Sequence, residues 1–258
     1  MAQAVLAVPL RAPEAVSPVS ARGLSRVYPN GRGCIGVDLD VAPGQVVGLM
    51  GVNGSGKSTL LSVLTTAETP TSGEVTWFGR RARRDPALLR RLGVLGDSPM
   101  HFDELSGEQN VYFFARQYGV PAEQARQRMN HLLEWCGLQE SRDLRVAEYS
   151  LGMRRRLSII EALLHQPDLL LMDEPTLGLD HLGAGDLATR LREEADRGAA
   201  LVLSTNDAAL AERTCDRVLF LHAGRVVSEE TVGRAPLARL FRRATGTPLV
   251  RAQLGTRG

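Results

Sequence analysis

VVGLMGVNGSGKST, Val46 to Thr59, reads as three pieces in a fixed order: an apolar run, a glycine-rich stretch and the opening of a helix. Val46 to Met50 has the length and apolar content of a buried strand. Gly51, Gly54 and Gly56 let the chain turn sharply and bring backbone N–H groups close to a bound group. A helix beginning near Lys57 adds the partial positive charge of its N-terminus. The segment Gly51 to Thr59 matches GxxxxGK[ST], a loop whose amides, here including those of Asn53, Ser55 and Thr59, cradle phosphate oxygens. In that pattern Lys57 reaches the β- and γ-phosphates and the Ser58 hydroxyl binds Mg²⁺. Strand, phosphate loop and helix in this order predict an α/β fold.

Composition supports the reading. Lys57 is the only lysine among 31 basic residues; every other one is Arg. In a chain that uses Arg everywhere else, the exception marks a position needing a compact ammonium. The 258 residues, 43% hydrophobic and 23% charged, describe one or two globular domains with ample core. A formal net charge of +2 gives no bulk attraction to nucleic acid, and none is expected as a partner. Cys34, Cys136 and Cys215 are odd in number and lack metal-ligand spacing, which fits a reducing compartment and free thiols and gives no zinc-site pattern. No apolar run approaches the roughly 18 residues of a membrane span. MAQAVLAVPL lacks a basic start and carries Pro9, so no signal peptide is expected.

A second stretch, LLLMDEPTLGLD from Leu169 to Asp180, ends a buried-looking strand in two adjacent carboxylates. Burying such a pair is costly unless a cation waits there. Asp173 at the strand end is placed to hold Mg²⁺, which demands hard oxygen ligands. Glu174 points elsewhere and is a general base for an attacking water. Further strands are expected at Glu74 to Phe78, in an antiparallel portion, at Leu201 to Ser204, at Val218 to Leu221 and at RVVSE. Between about residues 98 and 165 the pattern turns helical, with Pro121 as the first residue of a helix ending at Gly137. Ser150 and Gly152 precede an amphipathic helix with Leu157, Ile160, Leu163 and Leu164 on its apolar side, whose N-terminus is a second anion site. Arg154 to Arg156 read as a solvated helix start that adds to the local potential. Arg80, Arg81, Arg83 and Arg84 read as a solvated charge run.

These motifs together resemble the nucleotide-binding subunits of ATP-binding cassette (ABC) transporters over about residues 22 to 246. YSLGM, Tyr149 to Met153, is similar to the signature motif of exporter ATPases, and Gly178, Leu179 and Asp180 resemble the D-loop. The resemblance implies a P-loop NTPase with an ABC-type RecA-like core, an antiparallel β portion and a helical insertion. Residues 1–21 are then a flexible extension and 247–258 a tail. It also implies ATP and Mg²⁺ as ligands, with adenine stacked on Tyr28 and two ATP molecules sandwiched in a head-to-tail homo- or heterodimer by Ser150, Gly152 and Asp180. The partner is a transmembrane permease, and the location is cytoplasmic, on the inner face of the membrane. LARLFRRATG resembles an exporter ending, although Leu237, Leu240 and Phe241 equally serve to pack a last helix.

Two positions depart from the family pattern. Asp97 stands where a Gln contacting Mg²⁺ and water is usual. Asn206, in LSTND, replaces a His that holds the γ-phosphate and orients the catalytic glutamate; Asn keeps a donor but loses reach and titratability. Slow turnover, or a heterodimer whose other site does more of the work, is the expectation. The alternative reading is a soluble ABC ATPase acting on ribosomes or DNA. Ribosome-acting relatives generally carry two cassettes and repair relatives carry long coiled coils, and neither feature is present. A P-loop GTPase needs Asn-Lys-x-Asp to read guanine, which a chain with one Lys in its cradle lacks.

Overall fold

The structure is a computed structural model that describes residues 16–97, 100–179 and 181–248. The expected tail from 249 onward, most of the expected extension and Asp180 lie outside the described residues. The chain runs through β1 (Val19–Val27), β2 (Gly33–Val41), β3 (Val46–Met50), α1 (Lys57–Leu64), β4 (Ser72–Trp77), β5 (Arg80–Arg81), α2 (Pro86–Leu89) and β6 (Leu92–Leu95). The helical insertion follows as α3 (Gly107–Gln117), α4 (Ala122–Trp135) and α5 (Leu151–Leu163). The remainder is β7 (Leu169–Met172), α6 (His181–Asp196), β8 (Ala200–Thr205), α7 (Ala208–Thr214), β9 (Arg217–His222), β10 (Arg225–Thr231) and α8 (Leu237–Thr245). β1 begins inside the stretch expected as an extension through residue 21.

Six strands form the central sheet in the order β10-β9-β3-β8-β7-β6, parallel except for β10. Both faces are covered, so its inner strands are continuously apolar rather than alternating. Val47 and Leu49 of β3, Leu169 and Leu171 of β7, and Val202 of β8 pack on α1 and the antiparallel sheet β2-β1-β4-β5. Val46, Met50, Leu170, Met172, Leu201 and Leu203 face the other way, into one core shared with the helical insertion. The fully buried Trp77 donates its indole N–H to the carbonyl of Leu64 at 2.9 Å, so β4 satisfies an orphan carbonyl at the end of α1. This fixes the helix that leaves the phosphate loop.

Within the insertion, Ser106 and Gln109 form a capping box that starts α3. Pro121 is the cap of α4 and not its first helical residue: its extended ψ of 140° keeps it outside the helix. α8 packs by Leu237 and Phe241, both fully buried, with Phe241 edge-on to Phe220 at 5.3 Å. No helix among the described residues is long and apolar enough to cross a membrane.

Candidate functional site

Four neighbouring strands, β6, β7, β8 and β3, deliver the predicted residues side by side. Leu95 of β6 pairs with Met172 of β7, and Met50 of β3 pairs with Thr205 of β8. The residues immediately beyond these carboxyl ends are Gly96 and Asp97, Asp173 and Glu174, Asn206, and the loop from Gly51. Ligands of open α/β sheets bind at such an edge.

The loop is built for close approach. A Cβ on Gly51 would lie 2.4 Å from the Leu221 carbonyl oxygen, and one on Gly56, at φ 104°, would lie 2.4 Å from that of Gly33. Ser55 is buried with its hydroxyl unpartnered, whereas Asn53, Gly54 and Ser58 are exposed. Lys57 is 5% exposed; its ammonium donates to the Gly51 carbonyl at 2.8 Å and lies 3.7 Å from Glu174 Oε1. Burial lowers the Lys57 pKa, and the charges of Glu174 and Asp173 oppose that shift. Burial raises the Glu174 pKa, and Lys57 opposes it. Each group is thus the main compensation for the other's lost hydration.

Asp173 and Glu174 point to different partners, as the sequence implied. Asp173 accepts a hydrogen bond from the Ser204 hydroxyl, and the same oxygen of Ser204 accepts from the Glu174 backbone N–H at 2.9 Å. Asp97 titrates above the ordinary carboxylate range because of burial and the neighbouring Asp173 charge. Asp97, Asp173 and Ser58 line one cleft of about 390 Å³. Two neighbouring carboxylates beside an exposed hydroxyl are an all-oxygen donor set, which fits a hard divalent cation better than zinc or copper.

Tyr28 borders the loop. Its hydroxyl donates to Glu68 at 2.6 Å and neighbours Thr59, and the Arg26 guanidinium lies over its ring at 5.0 Å. The Asn206 side chain donates to Asn53 at 2.9 Å, while its own carbonyl oxygen is buried without a partner. Ser150 and Gly152 stand apart from this group. Ser150 is exposed and caps α5 by accepting from Met153 N–H at 3.3 Å, and a Cβ on Gly152 would lie 3.1 Å from the Gly178 carbonyl oxygen. Among the described residues no hydrogen bond links Ser150 or Gly152 to the loop.

Three contributors escaped the sequence reading. Ser204, with Thr205, is a polar pair closing the apolar strand β8, a signal that was available. Arg155 sits inside a run of three arginines and offers no signal at all. The structure corrects its reading as part of a solvated helix start: its guanidinium donates to the carbonyls of Gly96, Asp173 and Glu174. Arg154 instead pairs with Asp103.

Glu161, the third, shares the apolar face of α5 with Leu157 and lines the same cleft as Asp173. It is 5% exposed with Oε1 unpartnered, and burial pushes its pKa up to about 8 from 4.5. Folding therefore takes up a proton between those values, so stability falls as pH rises from about 4.5 to about 8 and levels off above. Glu161→Gln is expected to abolish that slope. Thermal melts at two pH values check it: a gain of about 5 °C or more at pH 8 and little change at pH 5.

The comparisons agree with this geometry. The profile of the family described as ABC transporter matches residues 34–177. The chain is 36% identical over 214 residues to a daunorubicin resistance ATP-binding protein of Streptomyces coeruleorubidus, covering 83% of this chain and 68% of that one. It is 38% identical over 194 residues to the Nod factor export ATP-binding protein I of Cupriavidus metallidurans, covering 75% and 64%. These matches span about two thirds of the length of the two relatives. A dimeric ATP-binding cassette in a post-hydrolysis state, bound to ADP and Pi, superposes with a TM-score of 0.74 at 25% identity, covering 83% of this chain and 98% of that one. A matched profile over more than half of the chain, on a P-loop α/β fold with an antiparallel sheet and a helical insertion, leaves one conclusion: the chain belongs to the ABC transporter family, as one of its ATP-binding subunits.

Proposed function

We propose that the chain is the Mg²⁺-dependent ATPase of an exporter, driving a separate transmembrane permease from the cytoplasmic face through ATP-dependent pairing with a second cassette. The observation that carries the reading is the 3.7 Å approach of Glu174 to Lys57, which sets a general base beside the anchor for the γ-phosphate. The export names of relatives support the direction of transport.

In this reading the loop amides and Lys57 bind the phosphates, and the base stacks on the Tyr28 face opposite Arg26. Ser58, Asp173 and Asp97 would hold Mg²⁺, which would neutralise charge on the β- and γ-phosphates. The Glu174 carboxylate takes the proton of the attacking water; its burial increases its affinity for that proton, and the charge of Lys57 opposes that increase. Asn206 supplies a donor at the γ-phosphate end, but it is spent on Asn53 here, which fits slow turnover.

Ser150 and Gly152 serve the site of the second protomer. Leu151, 78% exposed beside Ser150, and Leu177, 63% exposed just after the catalytic turn, are the apolar residues that such pairing covers. Specific ATPase activity of the purified chain is therefore expected to rise with its own concentration. A finite rate independent of concentration would show a monomeric enzyme and end the pairing model; ATP binding without turnover at any concentration would require a partner subunit.

A further inference from the structure

We propose that Arg155 is a positioning residue that ties the helical insertion to the backbone of the catalytic glutamate, so that movement of α5 is felt at Glu174. The inference rests on the ATPase reading above and adds a route by which the signature end of the insertion reaches the chemistry.

Glu174 has φ 41°, a left-handed conformation that a residue with a Cβ rarely adopts. Such strain persists only where the surroundings hold it. Here both of its backbone polar groups are held by side chains from other elements: the N–H donates to Ser204 at the end of β8, and the carbonyl accepts from Arg155 at 2.9 Å. The same guanidinium donates to the Asp173 carbonyl and, at 2.9 Å, to that of Gly96, the residue before Asp97. One side chain thus joins the exits of β6 and β7.

The root of that side chain lies elsewhere. Arg155 stands on the first turns of α5, five residues beyond Ser150, whose hydroxyl caps that helix. A guanidinium is planar and forked, so several carbonyls are satisfied only in one placement of the helix. Displacement of α5 relative to the sheet stretches these bonds together. The strained Glu174 carbonyl, which also accepts from the Leu177 N–H at 3.0 Å, then loses its hold on the helical insertion, and the carboxylate shifts relative to Lys57. Burial lowers the Arg155 pKa against the pull of Asp173, Asp97 and Glu174, in keeping with a guanidinium that has exchanged water for these carbonyls.

The test compares the full chain with Arg155→Met and Arg155→Lys. Arg155→Met is expected to lower kcat about 10- to 100-fold, the scale of an ångström misplacement of a reacting group. ATP affinity, read with a fluorescent nucleotide, is expected to stay within about twofold. Hydrogen–deuterium exchange of the Glu174 amide should accelerate at least about tenfold, and Arg155→Lys should restore part of both kcat and protection. Unchanged exchange at Glu174 in Arg155→Met overturns the proposal whatever the turnover. Affinity falling in step with kcat also overturns it, since Arg155 would then be a binding residue. A wild-type chain that neither binds nor hydrolyses ATP would defeat the ATPase reading alone, and the exchange rates would still decide the tie.

Discussion

Glu174→Gln is expected to reduce ATP turnover about a thousandfold while leaving ATP affinity within a few-fold. The substitution is nearly isosteric and removes only the capacity to accept a proton, a contribution of about 10²- to 10⁴-fold for a positioned base. The carboxylate approaches Lys57 at 3.7 Å without displacing the ammonium's 2.8 Å bond to Gly51, so the cradle persists without its charge. Folding should also survive. Burial disfavours the ionised form of Glu174, and a neutral amide escapes that penalty. The backbone holds from Ser204 and Arg155 do not involve the side chain. The variant should therefore accumulate as an ATP-bound pair, visible as a concentration-dependent dimer by light scattering. Turnover equal to wild type would remove Glu174 from the base role and leave Asp97 as the carboxylate to examine.

The positions that set this experiment were legible because their chemistry is local. A strand, a glycine-rich turn and a lysine are consecutive in the chain, and β3 and β7 span the residues expected of them, Val46–Met50 and Leu169–Met172. The antiparallel sheet was harder to read. β1 and β2 pair with register shifts between Ala21 and Leu24 and between Leu24 and Arg26, so the period-two alternation that marks a half-buried strand is broken at each bulge. Phe78, expected to end β4, instead turns at φ 50° and stacks under Arg91 at 3.6 Å, a partner distant in sequence from the strand pattern. Side chains acting across the fold were beyond periodicity. Arg155 reads like Arg154 and Arg156, and only the placement of α5 against the exits of β6 and β7 distinguishes it. Glu161 is the converse case: an acid at the fourth position after Leu157 on an apolar face is visible in the sequence, yet its cost depends on a cleft that the sequence does not show.

Lys57→Ala is expected to weaken ATP binding by about 100-fold or more. Each charge-assisted hydrogen bond from an ammonium to phosphate contributes about 1.5–3 kcal/mol, and two phosphates lose their contact at once. In the structure the ammonium donates to the Gly51 carbonyl and offsets the charge of Glu174. Removing it therefore pushes the Glu174 pKa further up, and residual turnover should have an acid limb displaced to higher pH than in wild type. The sign follows from Lys57 lowering that pKa in the native chain. The melting temperature without nucleotide should change little, because the buried ammonium itself carries a desolvation cost that the truncation relieves. Lys57→Arg sharpens the argument. A chain that places Arg at every other basic position has not done so here, and a forked, planar guanidinium does not fit the enclosure of a side chain 5% exposed against the Gly51 carbonyl. Its affinity should fall nearly as far as that of the Ala variant, measured by the same nucleotide titration. If Arg instead restores wild-type affinity, charge alone suffices, and the single lysine loses its meaning as the mark of the cradle.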